Sequence, residues 1–105
     1  MRKNTIEVLK QLQAPFAQSG FEYIVDAVEI INQDRSKYRK NLSRLYYAVG
    51  ECKGISETNV ERGIRTTKES IFSKANEDLL IEIFGNKDSM KNGDFLYALS
   101  YEVED

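Results

Sequence analysis

The chain has no histidine and no tryptophan, a single cysteine and a single proline. Without histidine it lacks the commonest general base and the commonest metal ligand. A lone Cys52 makes no internal disulfide and suits a reducing compartment. Six glycines and one proline exclude collagen-like and low-complexity chains. No apolar run approaches the length of a membrane span. The first fifteen residues mix Arg2, Lys3, Glu7 and Lys10 with single apolar residues, which is not the apolar core of a secretory signal. These absences predict a cytoplasmic protein with no membrane partner. What is present is ordinary for a folded domain, 41% hydrophobic and 30% charged, in a length that makes one domain rather than two. The formal net charge of −2 weighs, at first sight, against a polyanionic partner.

The apolar spacing is helical almost throughout. Ile6, Leu9 and Leu12 mark a short first helix, which Ala14-Pro15 should end because the residue before proline avoids the helical region. Ser19-Gly20 starts a second, with Phe21, Ile24, Val28 and Ile31 on one face. Leu42, Leu45, Tyr46 and Val49 repeat the pattern in a third helix, with Tyr38 a candidate to join them. Val60, Ile64, Ile71 and Phe72 mark a fourth from about Ser56 to Ala75, and Leu79, Leu80, Ile83 and Phe84 a fifth, closed by Gly85. Phe95, Leu99 and Val103 give a sixth, with Asp94 as its expected N-cap. The longest loop is expected from Asn86 to Gly93. No segment alternates like a strand, and no repeat is visible. The expectation is an all-α, compact six-helix domain whose named apolar residues form the core.

One stretch, Tyr46 to Arg65 within a unit spanning about residues 42–75, has the chemistry of a helix-turn-helix. Two helices that cross steeply through a tight turn need a small residue at the crossing, here Gly50, and a residue tolerant of positive φ in the turn, here Gly54. Val49, Ile55 and Val60 sit where apolar side chains would clamp the pair. Ser56 is placed to cap the second helix, and Thr58 with Glu61 offers a capping box in a competing register. With Val60, Ile64 and Ile71 turned inward, Thr58, Glu61, Arg62, Arg65 and Thr66 face outward near that helix's start, the part of a recognition helix that reaches base edges. Arginine bonds guanine in a fork, and glutamate accepts from the cytosine amino group. The bland alternative is that Glu61 and Arg65 are a surface ion pair worth about 0.2–0.5 kcal/mol and nothing more.

The net charge conceals an asymmetry. Residues 35–74 carry ten cations and four acids, a net of +6, and the remaining positions five cations and thirteen acids, a net of −8. The basic block covers the motif, as phosphate binding requires. Lys40, Arg44, Ser56, Asn59 and Lys68 are the residues expected at phosphates.

Leu45-Tyr46 through Ser56 to Val60-Glu61-Arg62-Gly63-Ile64-Arg65 resembles the DNA-binding effector domain of the sporulation initiation response regulators, the stage 0 sporulation master regulators. That family carries V-E-R-A-I-R where this chain has V-E-R-G-I-R. Pro15 and Gly20-Phe21-Glu22-Tyr23-Ile24 to Ala27-Val28 resemble its P…G-Y-x-Y-L-x-x-A-I, and Ile83-Phe84-Gly85 with Ser89-Met90 its L-F-G…S-M. The likeness runs without a gap from about Ile6 to Met90, with a shorter loop before the last helix.

The resemblance implies a single DNA-binding effector domain over residues 1–105, regulating transcription from short G/C-containing promoter boxes, often in tandem. A homodimer on DNA and the sigma subunit of RNA polymerase are the further partners it suggests. Glu61, Arg62 and Arg65 match positions by which the family reads bases. Thr66 stands where the family has histidine, which bears on box preference, and Asn59 where it has arginine, which removes a cation. Lys53 replaces an aromatic residue in the turn. Gly63 replaces alanine at a cost of about 1 kcal/mol in a helix interior, unless another helix approaches closely there. The family's phosphoreceiver domain does not fit in 105 residues, so no receiver domain is expected within them; the chain is either an excised effector domain or a stand-alone relative, and a stand-alone relative would not be switched by aspartyl phosphorylation.

Two other classes compete with that reading. An enzyme is not expected: no metal-ligand cluster, no phosphate-cradling glycine loop and no nucleophile beside a base is visible, so no cofactor and no small-molecule substrate are predicted. Cys52 reads as a small buried or half-buried residue, and Glu77-Asp78 as acids favoured at a helix start. The alternative to a DNA reader is a diverged stand-alone interaction module that pairs with a family member or the transcription machinery. The acidic end, Glu102-Val103-Glu104-Asp105, would serve such contacts.

Overall fold

A computed structural model describes residues 2–103; Glu104 and Asp105, the last positions of the acidic end, lie outside them. The described residues form seven helices and no strand: α1 (Arg2–Gln11), α2 (Ser19–Gln33), α3 (Arg35–Tyr38), α4 (Leu42–Lys53), α5 (Glu57–Lys74), α6 (Glu77–Phe84) and α7 (Asn92–Glu102). None of them is long and apolar enough to cross a membrane.

The all-α expectation holds, and six helices lie where the spacing puts them. The core forms around α2, whose Phe21, Ile24, Val25, Ala27, Val28 and Ile31 are all buried. So wide an apolar surface lets one helix pack against α1, α4, α5 and α7 together. At the far end of α5, Phe72, Phe84 and Phe95 meet with ring centroids 5.2–6.2 Å apart and tie α5, α6 and α7 into one cluster.

Three local details differ from the sequence reading. The first is an additional helix of one turn, α3, in a stretch with no periodic signal. Its Tyr38 is buried, and α7 holds the turn in place. Arg35 donates to the Ser100 hydroxyl (2.9 Å) and carbonyl (3.0 Å), and the Tyr97 hydroxyl donates to the Arg35 carbonyl (2.6 Å). The second is the start of α7. The helix begins at Asn92 after Lys91, so Asp94 lies inside the first turn and is not the N-cap; the loop is shorter accordingly. The dipole favours an acid at either position, so the residue type alone did not fix the register. The third is the end of α1, where Gln13 takes a left-handed conformation (φ 60°) that lets the Ala14 amide reach back to the Leu9 carbonyl. A non-glycine residue there leaves little mark in the sequence.

Candidate nucleic-acid interface

The helix-turn-helix is built as its residues require. Gly54 ends α4 at φ 72°, in the left-handed region, and the Ile55 amide returns to the Gly50 carbonyl at 3.0 Å. A Cβ added at Gly50 would run into the Ile55 carbonyl, so only glycine allows this turn to fold so tightly. Val49 and Val60 are fully buried between the helices, and Ile55 is half-buried. The Ser56 hydroxyl accepts from the Asn59 amide at 3.2 Å, which settles the capping register in favour of Ser56 over Thr58.

A second close crossing sets α5 against α2. A Cβ on Gly20 would collide with the Gly63 carbonyl, and one on Gly63 would lie 2.7 Å from the Tyr23 ring. The departure at Gly63 therefore coincides with a close helix approach. Buried Thr67 donates across the same contact to the Gln18 side chain at 3.0 Å.

These two crossings turn one side of α5 outward. Thr58, Asn59, Arg62, Arg65 and Thr66 are exposed, and Glu61 is half-buried at the margin. Asn59, Arg62 and Thr66 also line a cleft of about 440 Å³ whose opposite wall is the start of α2, with Gln18 and Ser19. Nothing in the sequence pattern links those two residues to α5; they arrive there through the glycine crossing. Lys40, in the turn before α4, and Arg44, in its first turn, are exposed, and Ser56 is exposed although its hydroxyl is committed to the cap. Tyr47, more than half exposed on the same helix, went unremarked because its position looks like one more core aromatic.

Glu61 and Arg65 do form the surface pair that the bland reading anticipated, with Arg65 Nη1 donating to Glu61 Oε2 at 3.1 Å. Asn92 of α7 donates to that oxygen as well, at 3.4 Å, and to the Tyr46 hydroxyl at 3.3 Å. Burial raises the Tyr46 hydroxyl above the ordinary tyrosine pKa, against the opposing effect of the Asn92 hydrogen bond, and the Glu61 charge adds to the rise.

Two expectations need correction. Lys68 is not available to a phosphate: it is only 6% exposed, and its ammonium donates to the Met90 carbonyl at 2.6 Å. It lies two residues beyond Thr66, under the loop that precedes α7, and burial lowers its pKa below the usual lysine value. Cys52 is exposed, not buried or half-buried.

The basic block is also less uniform than its count suggests. Arg35 lies over the Tyr101 ring and Arg39 over Tyr97, so both are engaged with α7. Lys53 pairs with Asp26 of α2 at 3.1 Å, so the lysine in the turn ties α4 to α2. Among the described residues no group of three acids or thiols is placed to hold a metal ion.

The family model for the sporulation initiation factor Spo0A C terminal matches residues 5–103. No curated protein matches the chain. The match covers nearly the whole sequence, and the chain belongs to this family, the DNA-binding domain of a sporulation transcription factor.

Proposed function

We propose that this family member binds double-stranded DNA sequence-specifically, with the N-terminal half of α5 in the major groove. The observation that carries the reading is the single exposed stripe of Thr58, Arg62, Arg65 and Thr66 beyond a helix-turn-helix crossing. From Thr58 to Thr66 the helix rises about 12 Å, enough to face three or four successive base pairs. Arg62 and Arg65 offer guanidinium forks to guanine edges, Glu61 an acceptor for a cytosine amino group, and Thr58 and Thr66 small contacts to either. Lys40, Arg44, Ser56 and Asn59 flank the stripe and meet the phosphates; Ser56 and Asn59 do so at the positive end of the α5 dipole. With Thr66 and Asn59 in place of a histidine and an arginine, preference differs at one base pair and one backbone cation is lost. Pairing of two copies on tandem boxes, and contact between the outer surface of α7 and the sigma subunit of RNA polymerase, belong to the same proposal.

Selection of duplexes from a randomised pool tests this reading. The chain should enrich a short G/C-containing box and release it steeply as salt rises. No preference for any selected duplex over scrambled sequence at low salt would end the specific form of the proposal. It would leave an interaction module as the reading to pursue.

A further inference from the structure

One buried polar side chain reaches the exposed stripe of α5 from another helix. Asn92 opens α7 and is 9% exposed. Its Nδ2 donates to the Tyr46 hydroxyl at 3.3 Å and to the Glu61 carbonyl and Oε2 at 3.4 Å each. Its own Oδ1 is buried with no partner. A buried carboxamide oxygen left unmet costs stability that an apolar side chain of the same shape would not cost. Such a group calls for an explanation beyond packing. The three contacts are long, so none is strong alone, but two of them converge on Glu61.

We propose that Asn92 is a positioning residue for specificity, holding the Glu61 carboxylate and, through it, Arg65 in the arrangement that α5 presents to base edges. The inference rests on the reading of α5 as the recognition helix. A glutamate with three free torsions can follow a donor on the wrong base; one that is held cannot, so rejection improves when the carboxylate is fixed before DNA arrives. Asn92 and Arg65 both bond Oε2, and Oε1 is the acceptor left for a cytosine amino group. The amide is the suitable device, because it donates without charge. An aspartate at 92 would repel Glu61, and a lysine would compete with Arg65 for it. Two residues upstream, the Lys68 bond to the Met90 carbonyl holds the same segment to α5, so the reach of Asn92 is set at both ends.

The test uses the whole chain and a duplex it selects from a randomised pool, with each base pair then permuted. Glu61→Ala identifies the base pair that Glu61 reads. Asn92→Leu keeps the branched shape without the polar atoms and is expected to reduce preference at that pair from about tenfold to about twofold. Affinity for an unrelated duplex at low salt should change by less than about twofold. In the Glu61→Ala background Asn92→Leu should add nothing, as a double-mutant cycle requires of residues acting through one another. A purely structural Asn92 would weaken every duplex alike and leave the preference intact, which overturns the inference. If Glu61→Ala abolishes a preference that Asn92→Leu retains, this inference alone falls. If Glu61→Ala leaves every preference intact, the base-reading assignment of Glu61 fails and takes the inference with it. Should Asn92→Leu not fold, the side-chain amide resonances of Asn92 decide in the DNA-free protein. Glu61→Gln should shift them, and unmoved resonances overturn the inference.

Discussion

Two basic stretches of this chain look alike as sequence and have different uses in the fold. Residues 35–44 hold five cations, and residues 62–74 hold four more. In the first, Arg35 and Arg39 turn toward α7, where Ser100, Tyr97 and Tyr101 receive them. In the second, Arg62 and Arg65 stay on the outer face of α5, and Lys68 alone is drawn inward. Aromatic rings and an accepting hydroxyl and carbonyl on the facing helix separate the two. Where a neighbour offers a ring face or a carbonyl, arginine is drawn against it; where the neighbouring helix presents glycine, as α2 does at Gly20, the arginines of α5 stay outward, and Arg65 pairs with Glu61 of its own helix. Charge density therefore marks a stretch for attention, and the partner helix decides its use.

The contrast can be broken most directly on the outward side. Replacing Arg62 and Arg65 together by alanine should cost about 2–6 kcal/mol of specific binding, two contacts at about 1–3 each, with little change in thermal stability. If a calorimetric titration shows binding unchanged, the outward face is misassigned. The mirror experiment is Arg35→Ala, which removes charge-assisted hydrogen bonds to Ser100. It should lower folding stability by about 1.5–3 kcal/mol in denaturant titrations while the preferred duplex stays the same. A changed duplex preference with stability intact would place Arg35 on the DNA side. Lys68→Met sharpens the boundary within α5. Leaving the Met90 carbonyl unpaired should cost about 1–2 kcal/mol of stability and leave the salt dependence of binding where it was; a shallower salt slope would return Lys68 to the phosphates. Smallest in free energy is Arg44→Ala, expected to lower the slope of log affinity against log salt by about 1 and to weaken all duplexes nearly equally. An unaltered slope would show that Arg44 meets no phosphate.

The same contrast explains what could be read from the residues. Six helices were legible because their apolar residues repeat over several turns. The helix-turn-helix was legible because Gly50, Gly54 and Ser56 each meet a local requirement of the turn. The one-turn helix α3 was not, since four residues carry no period and what fixes them is more than sixty positions away on α7. The start of α7 was misplaced because Asp94 suits a cap by type, whereas the observed cap residue, Lys91, makes no side-chain cap bond. At the site, the outward stripe followed from the inward one by subtraction. The burial of Lys68, the reach of Asn92 and the approach of Gln18 and Ser19 all depend on which helix lies next to which, and spacing along one helix does not carry that.

Helix α5 can also be considered as a beam. At 18 residues it is about 27 Å long. It is pinned near one end by the Gly50 and Gly20 crossings and at the other by the phenylalanine cluster. A beam pinned at both ends bends little under load. If α5 enters the major groove as proposed, a poorly matched groove cannot be accommodated by flexing it, so the whole body must tilt or the contact must be given up. On that reading, stiffness of this kind would convert a local mismatch into a global misfit and make each wrong base pair more expensive than its own lost hydrogen bond.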